Sequence, residues 1–270
     1  MTSPTSAPDP AGHPAALLEL GSRRFGACHP AVAVPLVGTT AEELLQEAAR
    51  LRGQPVDLVE WRLDHLASGA GATRGDAPRI APLVAQLVDA LGGLPLLATY
   101  RTRGQGGRGE ADPGEYLTLV EQVAGLPGVH LVDVEFDHPE RDAALQAVRT
   151  AGARSLVSHH DWDGQPAPEG LSTLVGEMRA TGADAVKLAT TPADEARALE
   201  LLTVLTRIAP EGGPVAMLGM GPAGRLTRLV GPACGSFLTF ARLGAASAPG
   251  QLDLALVAAT VDALRAPERA

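Results

Sequence analysis

The stretch Ala183-Asp-Ala-Val-Lys-Leu-Ala-Thr-Thr191 is an apolar run interrupted by a single amine. A helical pattern from Pro168 to Thr181 precedes it, and another from Pro192 to Ile208 follows. A strand that is apolar on both faces needs cover on both faces, and helices on either side supply it in parallel α/β sheets. The local reading is therefore one β unit of a parallel sheet, with Lys187 near its C-terminal end.

The same unit recurs outward in both directions. Upstream, strand-like runs are expected at Ala31–Val37, Val56–Arg62, Leu94–Arg101, Val129–Phe136 and Arg154–His160. Downstream they are expected at Pro214–Gly219 and Gly235–Phe240. Helical patterns fall between them, at about 39–52, 78–91, 113–124, 139–150 and 221–230, and a last one covers 251–265. Eight β runs alternating with eight helices predict a single-domain (β/α)8 TIM barrel of the α/β class. No Gly-x-Gly-x-x-Gly turn follows the first run, which counts against a dinucleotide-binding sheet. The expected division is a flexible or partly ordered N-terminal tail over 1–28, with a short ordered piece near Leu17 to Phe25, and a barrel over 29–270.

Composition fits one such domain. The chain has 270 residues, 45% of them hydrophobic, but only 3% aromatic, so Ala, Val and Leu must build the core. A net charge of -9 argues against a nucleic-acid partner. There is no apolar run long enough to span a membrane and no secretory signal pattern. Cys28 and Cys234 stand far apart without neighbouring ligands, so neither a disulfide framework nor a metal site is expected. These features fit a cytoplasmic protein with no metal and no cofactor.

In a TIM barrel the chemistry collects at the C-terminal ends of the strands. Polar residues collect there: Glu60, Arg62, Asp64, Arg101, Asp133, Glu135, His159, His160, Asp161 and Lys187, with Arg228, Ser247 and Gln251 in later turns. Lys187 is the only lysine; the other 21 of the 22 basic residues are arginine. Arginine cannot act as a neutral amine, whereas a buried lysine beside cations can. Histidine supplies an acid and base near neutral pH, and arginines suit an anionic substrate group. Together these groups describe Schiff-base chemistry on a ketone that carries an anion. The plainer alternatives are a residual surface lysine, a Glu60–Arg62 ion pair closing the barrel end, and structural roles for Asp64, His65 and Asp161. Of the two adjacent histidines, at most one is expected to face the barrel centre. The Gly-rich loop Arg103–Gly109 reads as a lid rather than a phosphate cradle, because no Lys-Ser/Thr end follows it.

Taken in order, Glu60-Trp-Arg-Leu-Asp64, Tyr100-Arg101 with Gly106-Gly107, Asp133-Val-Glu135, Ser158-His-His-Asp161, Val186-Lys187, Met220 through Arg228, Gly235–Phe240 and Ser247-Ala-Pro-Gly-Gln251 resemble the type I 3-dehydroquinate dehydratase family. The resemblance runs from about Ala31 to Ala263. It implies an enzyme of the shikimate pathway that converts 3-dehydroquinate to 3-dehydroshikimate, a homodimer that needs no cofactor. It implies Lys187 as the imine-forming amine, His160 as the acid and base, and Glu60 as the group that orients His160. Arg62, Arg101, Arg228, Ser247 and Gln251 would hold the substrate, and Asp133 and Glu135 would support the site. Pro35, Gln105 and Cys234 depart from residues common in that family. Another Schiff-base lyase or aldolase on the same barrel, or a non-catalytic ligand-binding barrel, are the alternatives.

Overall fold

The computed structural model describes residues 17–67, 77–244 and 247–264. Two short antiparallel strands, β1 (Leu18–Leu20) and β2 (Arg23–Phe25), form a hairpin around Gly21, whose φ of 61° suits the turn. Then come β3 (Ala31–Leu36), β4 (Leu58–Arg62), β5 (Leu96–Thr99) and β6 (Val129–Glu135). They continue with β7 (Arg154–Asp161), β8 (Ala185–Thr190), β9 (Val215–Gly219) and β10 (Leu238–Arg242). These eight strands are parallel neighbours in the order β10-β3-β4-β5-β6-β7-β8-β9. At the remaining seam the Phe237 N–H donates to the Val215 carbonyl at 3.0 Å, so the sheet returns on itself. The predicted eight-stranded barrel is thus the observed architecture.

Helices cover the outside. The main ones are α1 (Ala41–Arg50), α2 (Leu63–Ala67), α3 (Ala77–Leu91), α4 (Pro113–Ala124), α5 (Arg141–Ala151), α6 (Pro168–Ala180), α7 (Glu195–Ile208), α8 (Arg225–Val230) and α9 (Leu254–Leu264). Their starts follow from local chemistry. Thr40 accepts from the Glu43 N–H, Asp112 and Glu115 form a reciprocal capping box, and Asp194 accepts from the Arg197 N–H. The short helix after β4 and the two-residue strand β11 (Leu252–Asp253), paired with β10, fall where no separate element was expected. The helix expected from Gly221 begins only at Arg225, because a turn fills the preceding residues. No helix of the described residues is long and apolar enough to cross a membrane.

The two-residue period of each strand sorts its side chains. Val186 and Leu188 point out into the helix layer, with Val132, Val134 and Val157 of neighbouring strands. Ala185, Leu131, Leu156, Leu97 and Leu58 point inward, and the hairpin residues Leu18, Leu20 and Phe25 pack with them. The lower half of the barrel is therefore a solid apolar plug. Continuing the same alternation upward turns Glu60, Arg62, Thr99, Asp133, Glu135, Ser158, His160 and Lys187 toward the axis at the upper end. Aliphatic chemistry below and ionisable chemistry above is the division that positions the site.

Candidate active site

Lys187 sits in mid-strand, paired in register with Ser158 of β7 and Ala216 of β9. Its side chain enters an open-mouthed cavity whose walls include Glu60, Arg62, Arg101, His160, Arg228, Ser247 and Gln251. The lysine is only 7% exposed. Burial lowers its pKa to about 8; Glu60 opposes the shift, and Arg101 and Arg62 add to it. A sizeable fraction of the amine is therefore neutral at cellular pH. The Lys187 nitrogen lies 4.7 Å from the centre of the Phe240 ring.

The two histidines separate by strand alternation. His160 faces the cavity, and its Nδ1 is buried without a hydrogen-bond partner among the described residues. Burial first, then Arg101 and Lys187, hold its pKa well below the usual histidine value, so it rests as the neutral base. His159 lies on the other face, with Nδ1 2.5 Å from Asp137 and its ring edge-on to Phe136. The backbone N–H of His160 donates to Gln105 Oε1 at 2.7 Å, tying the Gly-rich loop to the strand that carries the histidine.

Each arginine has a different setting. Arg101 is paired with two carboxylates: Nη2 lies 2.8 Å from Asp133, and Nη1 donates to Glu135 at 3.0 Å and to the Ser158 hydroxyl at 2.9 Å. Ser158 in turn donates to Asp133 at 2.8 Å. Glu135 also accepts from the Thr102 N–H and hydroxyl. Asp133 and Glu135 thus hold Arg101 in place. Arg62 does not pair with Glu60. Its Nε and Nη2 both donate to Asp64 at 2.8 Å, because α2 folds Asp64 back onto the fork. Glu60 instead accepts from the Thr99 hydroxyl at 3.0 Å and acts on Lys187 through space; no hydrogen bond joins it to His160 among the described residues.

Asp64 does more than pair with Arg62. It accepts from the Arg101 N–H at 3.3 Å and the Arg108 N–H at 3.0 Å, at opposite ends of the Gly-rich loop. Burial raises its pKa, but the Arg62 fork and the Arg108 N–H outweigh that and leave it lowered. Removing one partner of a buried pair strands the other charge, so Asp64→Ala is expected to destabilise the fold by about 3–5 kcal/mol. Urea unfolding checks this; a loss under about 1 kcal/mol would show that water replaces the carboxylate.

Arg228 is the exception. It is 2% exposed, its Nη2 donates to the Pro249 carbonyl at 3.2 Å, and its Nε has no hydrogen-bond partner among the described residues. Burial alone lowers its pKa to about 10, with no carboxylate contributing. A buried guanidinium without a counter-ion is a ready anion site. Beside it, Ser247 and Gln251 lock each other: the Ser247 N–H donates to Gln251 Oε1, and Gln251 Nε2 donates to the Ser247 hydroxyl. The segment 247–251 therefore arches over Arg228, pinned through Pro249.

Thr99, Ser158, Phe240 and Trp162 also touch or build this site, as does Gln105, which stands out in the sequence only as a departure from the family's lid loop. Thr99, Ser158 and Phe240 were within reach, since each is in phase with an inward residue two positions away. Trp162 and the bond that Gln105 makes to the His160 backbone were not, because loop geometry brings them in. Trp162 seats against Gly106, where an added Cβ would lie 2.1 Å from its ring.

Comparison with known proteins bears on the family and the fold. The type I 3-dehydroquinase family model matches residues 32–266. The chain belongs to that family. A 3-dehydroquinate dehydratase of Lactiplantibacillus plantarum is 36% identical over 242 residues, covering 88% of this chain and 93% of the relative. One from Enterococcus faecalis is 32% identical over 235 residues, covering 86% and 91%. The crystal structure of 3-dehydroquinate dehydratase from Geobacillus kaustophilus superposes with a TM-score of 0.86 at 28% identity, covering 94% of this chain and 98% of that one. The type I enzyme of Clostridium difficile, solved with covalent modified comenic acid, gives 0.84 at 25% identity, covering 92% and 97%. As a type I 3-dehydroquinase, the chain shares its whole barrel with these relatives, so the upper-end cavity is the place to seek its chemistry.

Proposed function

We propose that this family member dehydrates 3-dehydroquinate to 3-dehydroshikimate, a step of the shikimate pathway, through an imine on Lys187. The observation that carries the reading is the cavity itself: one buried, partly neutral amine shares it with a neutral histidine and a buried guanidinium that has no carboxylate partner among the described residues.

Neutral Lys187 adds to the C3 ketone, and loss of water with uptake of one proton from solvent leaves a protonated imine. His160 takes a proton from C2; the C–H electron pair forms the C2–C3 double bond, and the imine π pair returns to nitrogen as an enamine. That pair then moves back through C2 and expels the C1 hydroxyl, which leaves as water with the proton from His160. Hydrolysis of the imine frees the conjugated ketone and restores the amine. Glu60 supports the cationic forms of Lys187. Arg62 and Arg101, each fixed by carboxylates, set the positive field and offer edges to substrate hydroxyls. Asp133 and Glu135 hold Arg101, while Arg228, Ser247 and Gln251 receive the carboxylate. The ultraviolet absorbance of the conjugated product tests the reading. A rise on adding 3-dehydroquinate to purified protein is expected; a flat trace would overturn it in favour of another Schiff-base lyase.

Arg228 gives a sharper check. Charge-assisted hydrogen bonds contribute about 1.5–3 kcal/mol, so Arg228→Gln is expected to raise KM about 10-fold to 150-fold. An unchanged KM in steady-state assays would place the substrate carboxylate elsewhere.

We also take the catalytic unit to be residues 29–270, working as a homodimer in the cytoplasm. The apolar barrel core and the family's resemblance support this; sedimentation at the mass of a single chain would refute the dimer.

A further inference from the structure

Lys187 is held in an unusual way. Its nitrogen makes no hydrogen bond or ion pair to any described residue, and the face of Phe240 lies against it, 4.7 Å to the ring centre. Phe240 is 3% exposed and inward-facing on β10, in phase with Leu238, so the ring is fixed by the core below it. A carboxylate in contact would also fix the amine, but it would raise the pKa by about 1–3 units and keep the nitrogen protonated. An aromatic face attracts the cation more weakly and leaves the neutral amine free to react.

We propose that Phe240 is a positioning residue for Lys187: its ring face, in place of an ion pair, holds the nitrogen at the barrel axis while leaving it able to lose its proton. The proposal rests on Lys187 being the imine-forming amine.

Because the chain has one lysine, labelling with lysine carrying 13C at the ε position gives one side-chain signal, whose shift reports the amine pKa directly. Placing mono-, di- and pentafluorophenylalanine at position 240 weakens the ring face stepwise with little change in shape. The pKa, about 8 in the unaltered chain, is expected to fall along the series by about one pH unit in total. A purely space-filling ring would leave it unmoved. The second variant is Phe240→Leu, read at pH 10, where the amine is neutral with or without the ring. Borohydride trapping with substrate is expected to slow about 10-fold there, which reports position rather than charge. A pKa constant across the fluorinated series, or normal trapping by Phe240→Leu at pH 10, would overturn the proposal. If the unaltered chain gives no adduct at all, it is the imine reading that fails. The titration, made without substrate, still decides whether the ring holds the amine.

Discussion

Lys187→Ala is expected to abolish covalent trapping and to lower turnover by at least about 1,000-fold, a barrier increase of about 4 kcal/mol. The size follows from what is lost. Without the amine there is no electron sink for the C2 carbanion, and no neighbouring group can substitute, since Lys187 is the only lysine. The measurement is borohydride reduction with substrate followed by intact-mass analysis: one adduct per chain in the unaltered protein, none in the variant. An adduct that persists in Lys187→Ala would move the imine to the α-amino group. The pH dependence has a definite sign. Attack needs the neutral amine, and burial puts its pKa at about 8. The trapping rate should therefore rise about tenfold per pH unit well below 8 and level off above it. A plateau already reached at pH 6 would mean that the cations around Lys187 act more strongly than their geometry indicates.

His160→Ala separates the two halves of the reaction. Imine formation is expected to survive, because the amine is already partly neutral without help. Dehydration is expected to fall about 100-fold to 10,000-fold, the range for losing a positioned general base. The adduct trapped from the variant should therefore carry the mass of substrate rather than product. A near-normal rate would point to Glu60 as the base. His159 is a weaker rival, since it faces away from the cavity and is held by Asp137.

The residues differ in how far the chain alone reveals them. Strand positions were legible because a two-residue period is a local property. Once Ala183–Thr191 is a strand with an inward Ala185, Lys187 must also point inward, and the same rule separates His160 from His159 up to a choice of face. The barrel followed from counting β runs, since eight both-sided apolar strands can satisfy their edges by closing. The lone lysine stands out as a signal because the other 21 of the 22 Lys and Arg residues are arginine.

Pairings were another matter. Whether Arg62 meets Glu60 or Asp64 depends on how sharply the chain turns after β4, and the turn into α2 decided for Asp64. Arg101 was legible as a strand-end cation, but its engagement by Asp133, Glu135 and Ser158 needed three strands in register. Gln105 bonding to the His160 backbone needed the fold of a Gly-rich loop.

The sequence by itself determined that the ionisable residues gather at the C-terminal ends of the strands and which of them share a face, because alternation and strand order are written in nearest-neighbour pattern. Only the tertiary structure decided which charges cancel and which stay available. Arg101 and Arg62 are paired with carboxylates, and among the described residues Arg228 has none. Lys187 rests on an aromatic face. Coulomb energy and desolvation depend on distances between segments far apart in the chain, and closure of the barrel sets those distances.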